Sequence, residues 1–278
     1  MNKINNAKNI QIIYSKIARK LNNFDLEISG LENIPDTPCI FVCNHSNSHD
    51  FYTIQEVFAK LNREVSVLVG SDCLNLPSKI LFELGSSIMV DRTSPVDRKN
   101  SKEMMILKLK NKSDVFVFGE GTWNLHPYKL MLPISKGSVQ VGYETETYIV
   151  PTVFEYIENK NILSSENNLF KKCIIKFGKP IKIKYPDNII AKTSQIENDL
   201  IKARTDIKQS NNCLYSNLED INIDMYLNHT YLKKNTPLFK YNSDYESQFI
   251  RRLNGLEQDN EFVVNTNGEF VPRRILKR

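Results

Sequence analysis

The apolar positions change period along the chain, and each change marks an element. Over residues 7–22, Ile10, Ile13, Tyr14, Ile17 and Leu21 recur at helical spacing, with Lys8, Lys16, Arg19 and Lys20 around them. This predicts an amphipathic helix, which packs on its own domain or rests in a membrane interface. The period then shortens. Cys39-Ile40-Phe41-Val42-Cys43 is a continuous apolar run, as expected of a strand covered on both faces. A polar loop follows, then a helical stretch from Phe51 to Leu61. Further strands are expected at Val65–Val69, Ser87–Val90, Val115–Phe118 and Tyr148–Phe154. Helices are expected at 76–84 and at 97–110, where Met104, Met105, Ile106, Leu107 and Leu109 carry the pattern. Residues 172–184 read as a strand pair broken at Gly178-Lys179-Pro180, and 190–208 as a helix.

Strands alternating with helices predict an α/β fold with a largely parallel sheet and helices on both faces. Ligands of such sheets bind at the carboxyl ends of the strands. The pattern weakens after residue 208, so residues 1–208 are expected to form the main domain and 209–278 a C-terminal extension. Within that extension, Phe262-Val263-Val264 and Glu269-Phe270-Val271 flank Asn267-Gly268, which predicts a hairpin.

Composition narrows the class. Of 278 residues, 41% are hydrophobic and 25% charged, enough for a buried core and contrary to a disordered chain. The formal charge of +5 fits anionic substrates or an anionic surface. No RNA-binding motif or basic-aromatic stripe accompanies it, so nucleic acid is not an expected partner. The five cysteines are Cys39, Cys43, Cys73, Cys173 and Cys213, with no Cys-x-x-Cys pair, so neither a disulfide framework nor a zinc site is expected. No apolar run approaches the ~20 residues needed to span a bilayer. The expected setting is the cytoplasm, with peripheral contact at the inner face of a membrane.

Four segments carry candidate chemistry. In Asn44-His45-Ser46-Asn47-Ser48-His49-Asp50, a strand runs out into a loop that leads to a helix. The loop can fold the Asp50 carboxylate back onto the His45 imidazole, which fixes the tautomer and leaves the other nitrogen to take a proton. Asp50 could instead cap the helix. Second, the extended run of Gly85-Ser86-Ser87-Ile88-Met89-Val90-Asp91-Arg92 ends in charge, and Arg92 can grip a phosphate or pair with Asp91. Third, Val115-Phe116-Val117-Phe118-Gly119-Glu120-Gly121-Thr122 carries a buried strand into a polar turn whose glycines let the backbone approach a ligand. The fourth is Ile149-Val150-Pro151-Thr152-Val153.

In this order the four segments resemble the glycerolipid or lysophospholipid acyltransferase family, of the bacterial 1-acylglycerol-3-phosphate acyltransferase type. That family carries Asn-His-x4-Asp, a Gly-x-x-Phe-Ile-x-Arg-like block, Phe-Pro-Glu-Gly-Thr-Arg and a Val-Pro strand. The resemblance covers roughly residues 30–185. It implies a mixed, mostly parallel central sheet flanked by helices on both faces, with a C-terminal appendage. It implies that His45 is a general base and Asp50 its orienting partner. Asn44, Arg92, Glu120, Gly121, Thr122, Trp123 and Pro151 become the substrate-binding candidates, Pro151 toward the acyl donor. The implied donor is an acyl thioester, of coenzyme A or of an acyl carrier protein. The acceptor is a lipid-like hydroxyl compound, and no metal or other cofactor is implied. The tetrahedral oxyanion of such a transfer needs donors, and backbone N–H groups near the Gly119–Thr122 turn are the expected ones.

The chain departs from the pattern in the third block, where Gly119 stands for Pro and Trp123 for Arg. An indole is one neutral donor and does not replace a guanidinium fork. Trp123 can instead line an apolar chain, and Lys129 and Lys136 can supply charge. The hydrophobic N-terminal anchor of many family members is also not found, which points to loose membrane contact or a more soluble acceptor. Rival readings are a metal-dependent hydrolase using His45, His49 and Asp50, a covalent route through Cys43, Ser46 or Ser48, and a non-catalytic lipid-binding protein.

Overall fold

The structure is a computed structural model. It describes residues 24–46, 50–71, 76–124, 130–158 and 170–211, the strands 262–264 and 270–272, and the single positions 9, 12, 13 and 16. The helix expected over 7–22 therefore lies almost wholly outside the described residues.

The chain forms β1 (Asp25–Ser29), β2 (Ile40–Cys43), α1 (Asp50–Lys60), β3 (Val65–Gly70), α2 (Leu76–Leu84) and β4 (Ile88–Val90). There follow α3 (Pro95–Lys110), β5 (Asp114–Phe118), α4 (Gly137–Thr145), β6 (Tyr148–Glu158), β7 (Phe170–Phe177), β8 (Ile181–Lys182) and α5 (Ile189–Ser210). The main sheet has the order β1-β7-β6-β2-β5-β3-β4, with β8 also on β6. Pairings are parallel except for β6 with β7 and β6 with β8. The mixed, mostly parallel sheet is thus as expected. β7 and β8 pair with successive parts of β6 and not with each other. The break at Gly178 is held by its N–H donating to the Pro151 carbonyl at 2.7 Å.

The centre of the sheet forms around near-continuous apolar runs, all four residues of β2 and residues 115–118 of β5. The alternation of β2 then sends Ile40 and Val42 to one face and Phe41 and Cys43 to the other, where Cys39 joins them. One core is aliphatic: Val115, Val117, Ile149 and Val153 meet Met105 and Leu109 of α3, Val139 and Val141 of α4, and Leu200 of α5. The other is aromatic: Phe41, Phe116, Phe154 and Phe177 meet Ile54, Val57 and Phe58 of α1. Phe41 lies edge-on to Phe58 with centroids 4.9 Å apart. Burying each such side chain contributes about 1.5–3 kcal/mol, and Phe41→Ala is expected to cost about 3–5 kcal/mol.

Two elements escape the sequence pattern. β1 alternates exposed and half-buried positions at the sheet edge and pairs with β7. α4 begins on a glycine, its N-cap Lys136 makes no side-chain cap bond, and it stops at Glu146 in a left-handed conformation. The helix start at Ser94, by contrast, is a standard cap: its hydroxyl accepts from the Asp97 N–H and Pro95 follows at the first helical position. β9 (Phe262–Val264) and β10 (Phe270–Pro272) pair antiparallel, as the hairpin reading predicts.

Candidate active site

β2 and β5 are parallel neighbours, with Cys43 opposite Phe118. Their carboxyl ends therefore emerge side by side, and so do those of β3 and β4. This brings the loop after Cys43, the turn after Phe118 and the residues after Val90 to one edge.

Asn44 fixes the loop. Its side-chain N–H donates to the Phe154 carbonyl at 2.8 Å and its Oδ1 accepts from the Phe154 N–H at 2.9 Å. The side chain is fully buried. Asn44 is therefore a clamp between β2 and β6 and does not stand as a substrate contact.

His45 follows. Its Nδ1 lies 2.9 Å from Asp50 Oδ2, with the imidazole 18% exposed and the carboxylate buried. The same Oδ2 accepts from the Ser46 N–H at 2.7 Å. Asp50 is the first residue of α1, so its carboxylate also sits at the positive end of the helix dipole. It turns back onto the loop. Burial first, and then the charge of Asp50, pushes the thiols of Cys43 and Cys173 and the phenol of Tyr156 well up. Cys43 is consequently a buried thiol, donating to Asn44 Oδ1 at 3.6 Å, and is not poised as a nucleophile. Ser46 Oγ accepts from Asn44 and reaches the Phe154 carbonyl. Ser48 and His49 lie outside the described residues.

Glu120 binds the backbone. Oε1 accepts from the His45 N–H at 2.8 Å and Oε2 from the Leu132 N–H at 2.7 Å. It is buried, so both oxygens go to the scaffold and it is not a substrate contact. Burial pushes its carboxyl from 4.5 up to about 7; the charge of Arg204 and the two N–H donors pull it back, and the charge of Asp50 adds to the rise. Gly119 is required by packing: a Cβ there would lie 2.9 Å from Ile134 Cγ2 and 3.0 Å from Val42 Cγ1. Gly121 has φ +70 and a Cβ there would meet nothing within 4 Å, so its role is the turn. The Gly119 N–H donates to the Cys43 carbonyl and the Gly121 N–H to Phe118. Those two amides of the Gly119–Thr122 turn are thus committed to the fold.

Thr122 and Trp123 are buried. The Trp123 ring stands edge-on to His45 with centroids 6.0 Å apart. Arg92 Nη1 donates to the Gly121 carbonyl at 2.8 Å, which joins the second and third segments. Asp91 turns to Thr93 instead, whose side-chain and backbone hydrogen bonds hold its carboxyl below the usual range. Pro151 is buried inside β6, opposite Val42, in the sheet and not at its mouth. Lys129 lies outside the described residues, and Lys136 precedes α4.

The sequence reading missed three contributors. The His45 ring stacks on Phe118, and period-two alternation from Phe116 would have placed Phe118 on that face. Gly70 leaves space for Arg92, whose Nε would lie 2.8 Å from an added Cβ. Arg204 interrupts the buried stripe Ile196, Leu200 and Ile207 of α5, a visible signal. Among the described residues, no group of three or more His, Cys, Asp or Glu is disposed to hold a metal ion. No helix among them is long and apolar enough to cross a membrane.

Comparison with known proteins bears on this edge of the sheet. The family named Acyltransferase matches residues 25–155. The 1-acyl-sn-glycerol-3-phosphate acyltransferase of Saccharomyces cerevisiae is 26% identical over 163 residues, covering 56% of this chain and 52% of the relative. The chloroplastic 1-acyl-sn-glycerol-3-phosphate acyltransferase BAT2 of Brassica napus is 26% identical over 135 residues, covering 46% of this chain and 36% of the relative. The chain thus spans about half the length of the first relative and less of the second. Among solved structures, the 1-acyl-sn-glycerophosphate acyltransferase PlsC of Thermotoga maritima superposes with a TM-score of 0.56 at 21% identity, covering 76% of this chain and 81% of that one. That likeness establishes the shared fold.

Proposed function

We propose, from the premise that residues 25–155 of this chain belong to the acyltransferase family, that the protein moves an acyl group from a thioester to a hydroxyl of a lysophospholipid-like acceptor. The relatives' names favour a 1-acylglycerol 3-phosphate as that acceptor. The donor is a thioester of coenzyme A or of an acyl carrier protein. The lysophospholipid-like acceptor implies contact with a membrane surface, where such lipids reside. Residues 1–208 are the proposed catalytic domain.

One observation carries the reading: His45 Nδ1 is 2.9 Å from a buried Asp50 carboxylate at the mouth of the sheet. With its proton on Nδ1, the imidazole presents Nε2 as a base. Nε2 takes the acceptor hydroxyl proton as that oxygen attacks the thioester carbonyl. The tetrahedral oxyanion collapses, the C–S bond breaks, and the imidazolium returns the proton to the departing sulfur. Asp50 stabilises the transient imidazolium. Arg92 is the cation held at the turn, and the acceptor's phosphate is placed against it.

The test is incubation of wild type and His45→Ala with acyl-coenzyme A, acyl carrier protein thioesters and a panel of lysolipids. Thiol release and product mass are recorded. Loss of the base is expected to lower turnover by about 10²–10⁴-fold. An Ala variant of undiminished activity would overturn the mechanism.

A further inference from the structure

Arg204 lies on the inward stripe of α5, where Ile196, Leu200 and Ile207 are the other buried residues. A buried guanidinium is costly unless paired and hydrogen-bonded, and apolar replacement of such groups is often neutral or stabilising. Core stability alone therefore does not explain an arginine here. Its contacts lead toward the candidate site. Nε donates to Glu155 Oε2 at 2.8 Å, and Nη1 donates to the carbonyl of Leu130. Leu130 opens a segment that is bonded to the site at Leu132 and Ser135. The Leu132 N–H goes to Glu120 Oε2 at 2.7 Å, and the Ser135 N–H goes to the Gly119 carbonyl at 2.9 Å. The Ile134 N–H goes to Glu197 of α5 at 3.2 Å. The other oxygen of Glu120 holds the His45 N–H at 2.8 Å. The chain of contacts runs from α5, through residues 130–135 and Glu120, to the main chain of the imidazole itself.

We propose that Arg204, outside the residues that match the family, is a positioning residue for His45, acting through the 130–135 segment and the Glu120 carboxylate. This rests on the reading of His45 as the base. A carboxylate accepting an N–H at each oxygen does so best when ionised, since a carboxylic acid must turn one oxygen into a donor. Glu120 is faced by the Asp50 carboxylate of α1, the Cys43 thiol of β2 and Arg204 of α5. Arg204 is the cation of that set, and its charge favours the ionised form against burial. Geometry and charge thus act in the same direction.

The experiment compares full-length wild type with Arg204→Met, the pair Arg204→Met/Glu155→Gln, and Lys208→Met. Measured are kcat, KM, the pH profile of kcat, the thermal midpoint, and hydrogen exchange of peptides spanning 44–46 and 130–135. Lys208 contacts Glu155 Oε1 at 2.7 Å, so its loss perturbs Glu155 and leaves the Leu130 contact intact. The double variant removes the carboxylate that Arg204→Met alone leaves buried, and it carries the test if the single variant does not fold. Both Arg204 variants are expected to lower kcat by about 10–100-fold, as small misplacements of a base do. The KM of the thioester stays within about twofold, the acid limb of the profile moves to higher pH, and both peptides exchange faster. Lys208→Met keeps the wild-type kcat. A folded Arg204 variant with wild-type kcat, acid limb and exchange overturns the proposal, as does a Lys208→Met variant with the same losses. If wild type turns over no thioester, the acyltransferase reading fails, and the exchange comparison still decides the role of Arg204.

Discussion

The imidazole of His45 lies flat on the ring of Phe118, with centroids 3.9 Å apart and planes 15° from parallel. The register explains it. Cys43 is opposite Phe118, and His45 comes two positions later, on the same side of the sheet. Phe118 is itself steadied by the edge of Phe116 at 5.5 Å. One rigid face and one carboxylate thus fix the plane and the rotation of the ring. Aromatic pairs of this kind contribute about 0.5–1.5 kcal/mol. Phe118→Leu is therefore expected to lower kcat by about 2- to 12-fold with little change in thioester KM. Steady-state kinetics check this, and an unchanged kcat removes the stacking argument.

Asp50→Asn tests the charge behind the imidazole. Asp50 Oδ2 meets both the Ser46 N–H and His45 Nδ1, so an amide oxygen in its place keeps both hydrogen bonds and carries no charge. The imidazolium formed during turnover then lacks its counter-charge, and the base is weakened. Turnover is expected to fall by about 10²–10⁴-fold in a variant that still melts cooperatively. Nitrogen chemical shifts of the imidazole, followed over pH, report its protonation directly. A variant with wild-type turnover would leave Asp50 without the charge-stabilising role.

Glu120 sets activity against stability. Its carboxyl titrates near 7 in the folded chain because of burial, against 4.5 when unperturbed. The folded state therefore holds the proton more tightly than the unfolded state does. The resulting stabilisation is complete below pH 4.5 and is lost as pH rises to about 7, where the carboxylate is buried ionised. Denaturation across this range, with Glu120→Gln as reference, is expected to show wild type losing stability relative to the variant as pH rises. Activity should rise over the same interval as the ionised carboxylate gathers the His45 and Leu132 amides. A stability difference that stays flat from pH 4.5 to 7 contradicts this account.

The central strands were legible because β2 is apolar throughout and β5 is apolar after Asp114, and only a strand covered on both faces tolerates such runs. The pairing of His45 with Asp50 was legible from spacing at a strand-to-helix loop. The duties of Asn44 and Glu120 were not. Each is a polar residue beside a candidate base, and spacing does not tell a substrate contact from a clamp. The difference lies in partners 110 and 12 residues away, Phe154 and Leu132, which only the folded sheet supplies. α4 was missed because it lacks a capping side chain and opens on glycine, leaving Val139 and Val141 as its only pattern. β1 was missed because an edge strand with five half-exposed or exposed positions has little apolar signal.

Gly70 is the remaining prediction. It ends β3 beside Arg92, and a Cβ at this position would lie 2.8 Å from Arg92 Nε, 3.1 Å from Cζ and 3.3 Å from Cδ. All three atoms belong to a long side chain that can swing away. Gly70→Ala is therefore expected to fold normally, while Arg92 leaves its hydrogen bond to the Gly121 carbonyl. If the guanidinium receives an anionic acceptor, losing its placement by one charge-assisted bond raises the acceptor KM about tenfold, with the thioester KM unchanged. A double-mutant cycle separates this from general damage. With Arg92→Gln already present, the added methyl has no guanidinium to displace, and Gly70→Ala should have almost no further effect on KM. Equal penalties in both backgrounds would mean that Gly70 acts on the strand and not through Arg92.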